Sequence, residues 1–163
     1  MADDTGLAKE LEALRKKVQI LEDKEAIRDM LARYAFNADL NRTQNFLKLW
    51  TEDGLFVTDG GGKLHVLKGK EEIGRYLDTS GHQTITNRSQ HLQVDYIIQV
   101  DGDTATATGY QLLTVRLEGG FGIRRCAFRI FHFRRVDGRW LIKESKSLAI
   151  GGPECQQFIP TEF

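Results

Sequence analysis

The segment "RYAFNADLNR", residues 33–42, sets a phenol and a carboxylate, Tyr34 and Asp39, at the close of an apolar, helix-patterned run. In a dry pocket a carboxylate becomes a stronger base, and a phenol donates a hydrogen bond to charge developing on an oxygen. Five residues along a helix amount to about 140° of rotation, so helical geometry alone does not bring the two side chains together. The plainer alternatives stand beside this: Tyr34 as a core residue with its hydroxyl at the surface, and Asp39 as the residue that ends the helix. A third titratable group, His91, heads the stretch "HLQVDYIIQV". Strict alternation puts Leu92, Val94, Tyr96, Ile98 and Val100 on one face and His91, Gln93, Asp95 and Gln99 on the other. An apolar interior would then leave His91 pointing outward; a bulge near Gln93 would reverse that.

The elements that must position these groups are readable from the pattern. Leu7, Leu11, Leu14, Val18 and Leu21 are spaced 4, 3, 4, 3, a heptad seam flanked by charged residues. Two readings stand for it: a helix lying on its own domain, or a helix pairing with another subunit. At Glu25 the seam breaks, and a new stripe runs from Ala26 and Ile27 through Met30 and Leu31 to Tyr34. Asp23 is a candidate N-cap there, and one bent helix or two would fit. Thr43 is a candidate N-cap for a short helix carrying Phe46, Leu47 and Trp50. Two short strands then flank the glycine turn "DGGGK" (59–63), and a third helix presents Ile73, Tyr76 and Leu77. From residue 89 four long strands follow, joined by "DGD", "EGG" and "DG", which is the turn chemistry of an antiparallel meander. Helices first and a twisted sheet second mean α+β, with the helices on one face. The expected architecture is a cone-shaped barrel of a curved antiparallel sheet wrapped around N-terminal helices.

Composition narrows the function classes. The 163 residues carry 23 Lys+Arg against 23 Asp+Glu, with 40% hydrophobic and 28% charged content. A balanced chain lacks the field that gathers nucleic acid or an anionic membrane, so neither is an expected partner. No apolar stretch approaches the roughly 20 residues of a membrane span, and the N-terminus has no apolar signal core. The chain reads as cytoplasmic with free thiols at Cys126 and Cys155. His65, His82 and His132 lack metal-ligand spacing, so no metal is expected. "DGGGK" has no nucleotide-loop spacing. Trp50, Phe56 and Tyr110 are candidate pocket walls. Arg129, in phase with Ala127, Phe131 and Phe133, is a candidate to enter a cavity and meet an anionic substrate group or Asp39.

The segments "EAIRDMLARYAFNADLNRTQNFLKLWTEDGLF", "SQHLQVDYIIQVDGDTATATGY" and "FRRVDGRWLI" together resemble a SnoaL-like domain of the nuclear-transport-factor-two-like superfamily. The resemblance covers about residues 23–149, leaving 1–22 as an N-terminal amphipathic helix, a candidate oligomerisation segment, and 150–163 as a C-terminal tail. Within that superfamily the chain is similar to a dehydratase and dehydrochlorinase branch. The resemblance implies Asp39 and His91 as a catalytic pair, with Tyr34 donating a hydrogen bond. It implies cofactor-free proton abstraction by His91 and a hydrophobic small-molecule substrate: a lyase, or an isomerase acting next to an activating group. It further implies self-association as a dimer or trimer. A ketosteroid-isomerase-like variant would want an acidic residue deep on a meander strand, where only Asp95 is available. The alternative of a different class is a non-catalytic ligand-binding or assembly module of the same fold.

Overall fold

The computed structural model of the chain describes residues 3–60 and 63–158. The N-terminal segment is one continuous helix, α1 (Asp3–Asp39), of 37 residues. The two apolar stripes of the sequence are two faces of this single helix. Val18 and Ile27 lie nine residues apart, about two and a half turns, and so point in opposite directions. The second stripe is the one its own domain uses: Ile27, Met30, Leu31, Tyr34 and Ala38 are buried. Each larger side chain among them contributes roughly 1.5–3 kcal/mol by burial. Asp23 caps nothing. It is a buried mid-helix residue whose carboxylate accepts from Arg135 Nη2 at 2.7 Å and from the Trp140 indole N–H at 3.0 Å. These bonds fasten the helix to the far end of the sheet. Thr43 is not a cap either: Arg42 occupies the N-cap position of α2 (Thr43–Leu47), and no side chain caps it.

The sheet has six strands: β1 (Trp50–Gly60), β2 (Lys63–Lys68), β3 (Ser89–Asp101), β4 (Thr104–Leu117), β5 (Gly120–Val136) and β6 (Arg139–Ala149). Their spatial order is β2-β1-β6-β5-β4-β3. The expected meander of β3 to β6 is antiparallel throughout. The sheet as a whole is mixed and open, because β1 joins it parallel to β6. Between β2 and β3 lie α3 (Gly69–Leu77) and α4 (Ser80–Gln83), and α5 (Pro153–Phe158) follows β6. The glycine turn expected around residues 61–62 and the last residues of the tail, 159–163, fall outside the described residues. The hairpin turns follow their sequence: Asp137 and Gly138 both take positive φ (49° and 74°), as a two-residue turn demands.

One irregularity in β3 decides what the interior contains. The β3–β4 register slips between Val94 and Ile97, so Asp95 and Tyr96 together oppose Gly109. Asp95 takes φ 44°, a left-handed value. This bulge inverts the alternation expected from sequence. His91 and Gln93 face the concave side before it, and Tyr96, Ile98 and Val100 face the concave side after it. Leu92 and Val94 turn outward. Gly109 is required there: a Cβ would come within 2.9 Å of the Asp95 carbonyl and 3.0 Å of the Tyr96 ring. The concave face, filled by Phe131, Phe133, Ile142 and Trp140, packs against α1 and α3 as the main core. On the convex face α5 sets Cys155 against Phe128 and Leu148.

Two outcomes follow for stability. Gly109→Ala is expected to cost about 1–3 kcal/mol by urea denaturation, because the bulge must shift to admit the methyl group. A change below about 0.5 kcal/mol would mean that the bulge does not need that space. Asp23→Ala is expected to cost about 2 kcal/mol, since it strands the buried Trp140 indole N–H and takes an ion-pair partner from the half-buried Arg135. The Asp23 linkage also carries a pH signature. Burial pushes its pKa up, but the bonds from Arg135, Trp140 and Gln19 outweigh burial and hold it below the ordinary 3.8. Its stabilisation is therefore complete above that value and is lost as pH falls below it, through the folded-state pKa. Acid titration of the Asp23→Ala variant should show a shallower loss than wild type; an identical acid limb would remove this assignment.

Candidate active site

The last turn of α1 and the first residues of β3 meet at a carboxylate. Asp39 is buried and takes three hydrogen bonds from β3: the His91 ring at Nδ1 (2.6 Å), the His91 backbone N–H (3.0 Å to Oδ2) and the Ser89 hydroxyl (3.1 Å to Oδ1). The Asp39 carbonyl also accepts the Asn87 N–H at 2.9 Å. A carboxylate only accepts, so the Nδ1 partner is the protonated nitrogen of the ring. That leaves Nε2 unprotonated, and His91 lines the cavity while Asp39 stands behind it. The arrangement is an imidazole fixed in one tautomer with its basic nitrogen unspent.

The cavity holds about 420 Å³ between α1, α3, α4 and the concave sheet. Its inner end is built around Tyr34 and Arg129. Tyr34 is wedged between Phe46 (ring centroids 4.7 Å) and Phe131 (5.4 Å, edge to face). Its oxygen accepts from Arg129 Nη2 at 3.1 Å, which leaves the phenol proton for an acceptor in the cavity. Arg129 is only 2% exposed. Its other bonds go to Gln111 Oε1 (3.2 Å) and Ser145 Oγ (2.6 Å), and its guanidinium carbon stands 4.6 Å from the Phe131 ring centre and 5.2 Å from that of Tyr34. All these partners are neutral. The expected meeting with Asp39 does not occur, because Asp39 is committed to β3. A cation buried among neutral groups makes the cavity's inner end attractive to negative charge.

Among the sequence candidates, Asp39 and His91 are brought together, and Tyr34 joins Arg129 instead of Asp39. Phe56 lines the cavity. Trp50 is fully buried behind that wall, packed on Tyr34 and Phe56. Tyr110 does not line it: on the convex side of β4 it is 51% exposed and packs on Phe128. It alternates with Gly109 and Gln111, both concave, and so faces the other way. Asp95, the only acidic candidate inside the first meander strand, is exposed at the bulge.

Sequence reasoning passed over Gln111, Ser145 and His82. The first two were detectable as polar residues in phase with inward-facing apolar neighbours. His82, on α4, had no such signal. It is buried, its ring lies nearly parallel to that of His91 (12° between planes, centroids 6.4 Å apart), and its Nδ1 has no partner among the described residues. Burial, then the proximity of His91, pushes its pKa below the ordinary 6.5, against a smaller pull from Asp39. Burial likewise pushes the Tyr76 phenol up, keeping it a neutral wall residue. Among the described residues no three His, Cys, Asp or Glu are grouped to hold a metal ion. No described helix is long and apolar enough to cross a membrane.

A long N-terminal helix packed in the concavity of an open mixed sheet, with a chamber between them, is the nuclear-transport-factor-two-like architecture. The chain belongs to the SnoaL-like domain family, which it matches over residues 19–146. It is similar to a nuclear-transport-factor-two-like protein with a cystatin-like fold from Novosphingobium aromaticivorans, at 27% identity and TM-score 0.82, covering 90% of this chain and 95% of that one. It is also similar to a protein of unknown function from Mycobacterium tuberculosis (26% identity, TM-score 0.69, 82% of this chain and 72% of that one). A hexachlorocyclohexane dehydrochlorinase from Novosphingobium barchaimii shares the fold at 17% identity and TM-score 0.69, with 82% of this chain and 90% of that one covered.

One titration checks the electrostatics. His82 is expected to titrate below 6.5 by NMR, and to move upward in His91→Gln, where the neighbouring imidazole is gone. A His82 that titrates at the ordinary value in wild type would show that it is neither buried nor coupled to His91.

Proposed function

We propose that this protein is a cofactor-independent lyase or isomerase that removes an activated C–H proton from a hydrophobic small molecule. The observation that carries the reading is the 2.6 Å contact between His91 Nδ1 and Asp39, at the wall of a cavity whose lining mixes aromatic and aliphatic side chains with polar and charged ones. His91 Nε2 takes the proton. Asp39 fixes the tautomer and stabilises the imidazolium, as a carboxylate does for other imidazole bases. The electron pair of the broken C–H bond moves toward an adjacent carbonyl or forms a C=C bond as a β-substituent departs. Tyr34 and Arg129 donate to the oxygen or leaving group on which charge gathers. In an elimination, the imidazolium returns its proton to a departing hydroxide, giving water, or yields it to solvent when the leaving group is halide. In an isomerisation it returns the proton at a new carbon. The dehydrochlorinase of like fold carries out an elimination by name, in keeping with this chemistry. The chain is too divergent from it for the substrate to be carried across.

The test is deuterium wash-in and product formation with hydrophobic ring compounds bearing a β-hydroxyl, a β-halogen or an α-carbonyl, followed by NMR in heavy water. His91→Gln and Asp39→Asn are expected to lose on the order of 10³-fold in rate, and Tyr34→Phe about 10²-fold. Circular dichroism should show the fold of each variant retained. Full wash-in by His91→Gln would remove the proposal. A binding-only protein would instead give tight ligand retention, with no exchange in wild type.

A further inference from the structure

The apolar seam on the N-terminal half of α1 has no partner within the chain. Leu7, Leu11, Leu14, Val18 and Leu21 are each between 47% and 66% exposed. The seam faces away from its own domain. In the heptad frame that sets Leu11 and Val18 at a and Leu7, Leu14 and Leu21 at d, Asp23 falls at f, diametrically opposite the seam, and Asp23 is the residue that docks α1 on Arg135 and Trp140. A second helix laid on the seam therefore meets no part of the domain behind it. The reading of this segment as a helix lying on its own domain does not hold.

We propose that the occupant is the same helix of a second copy, in parallel and in register, giving a two-stranded coiled coil over residues 7–21. Charge selects this pairing. In a parallel pair each g residue faces the e residue five positions on in the partner. Glu10 of one copy then faces Arg15 of the other, and Lys17 faces Glu22, so every complete pair is of opposite sign. In the antiparallel alignment that stacks Leu11 on Leu21 and Leu14 on Val18, the two end contacts pair Glu10 with Lys24, but at the centre Arg15 meets Arg15 and Lys17 meets Lys17. Leu at d with Val at one a position favours two strands. Glu25, at the next a position, sets two carboxylates face to face and ends the seam. Two heptads alone would be too short to nucleate a helix in water. Here the helix is continuous with the buried half of α1, so its nucleus is already formed by the domain.

The experiment is the solution mass of the full chain by light scattering and sedimentation over a micromolar concentration series. Wild type is expected to be a dimer. Leu14→Lys with Leu21→Lys should weaken the dimer by about 100-fold or more, because four ammonium groups would be forced into the seam. Both positions are exposed in the isolated fold, so the domain's melting should be unchanged. Orientation is read separately in a Cys126→Ser background. Leu14→Cys should cross-link between chains on mild oxidation, since d residues meet their own counterparts only in a parallel pair, while Gln19→Cys on the outer surface should not. A wild-type mass other than two chains, a dimer indifferent to the lysines, or a dimer that Leu14→Cys fails to cross-link would each overturn the proposal.

Discussion

A single buried carboxylate organises the molecule. Asp39 ends the long helix inside the fold, where an ionised group must have its oxygens satisfied. Its three donors, the Ser89 hydroxyl and the His91 backbone and ring N–H groups, come from the first residues of β3. The charge thus clamps the start of the meander onto the end of the helix. Every later strand is registered from that point, β4 on β3 and β5 on β4. The helix is clamped again near its middle, where Asp23 holds Arg135 and Trp140. Between these two acidic anchors the apolar face from Ile27 to Ala38 packs into the sheet's concavity. The residues that position the helix at its inner end are thus the same ones that give the imidazole its orientation.

The chamber combines opposites. Its walls set aliphatic and aromatic side chains beside Asp59, Arg124 and Arg125, and the Arg129 guanidinium stands there with only neutral partners of its own. The surrounding π-faces of Tyr34 and Phe131 offset part of the cost of desolvating Arg129, and three oxygen acceptors offset more. What they do not supply is a compensating negative charge. The imidazole projects from the same concave face two strands away, with its own carboxylate behind it. One concave face thus presents an imidazole and a guanidinium to the same chamber.

Much of the fold was legible in the sequence because its signals are local. The meander strands announce themselves by their length and by "DGD", "EGG" and "DG" turns, and the third helix by Ile73, Tyr76 and Leu77. What was not legible depends on partners distant in sequence. The apolar stripe of α1 seemed to break at Glu25 because two different surfaces call on opposite faces of one helix. Asp23 resembled a cap because its partners, Arg135 and Trp140, are more than a hundred residues away. Tyr110 read as a pocket wall because aromatic character does not report parity. The Asp39–His91 pair was suggested by a resemblance and not by spacing, because 52 residues separate the two. Their approach depends on Asp95 and Tyr96 sharing one partner, and nothing in "QVDYI" declares that except an aspartate willing to adopt positive φ.

The parity of β3 has a consequence for how such chambers diversify. The strand is anchored separately at both ends, by Asp39 at its start and by the Ile98 and Val100 core further on. Loss of one residue at Asp95 would rotate the first stretch of β3 relative to the second and take the Ser89 hydroxyl and the His91 ring away from Asp39. Leu92 and Val94 would then enter the chamber in place of His91 and Gln93, turning a basic wall into a greasy one with no change of architecture. The character of that wall therefore turns on a single residue of β3.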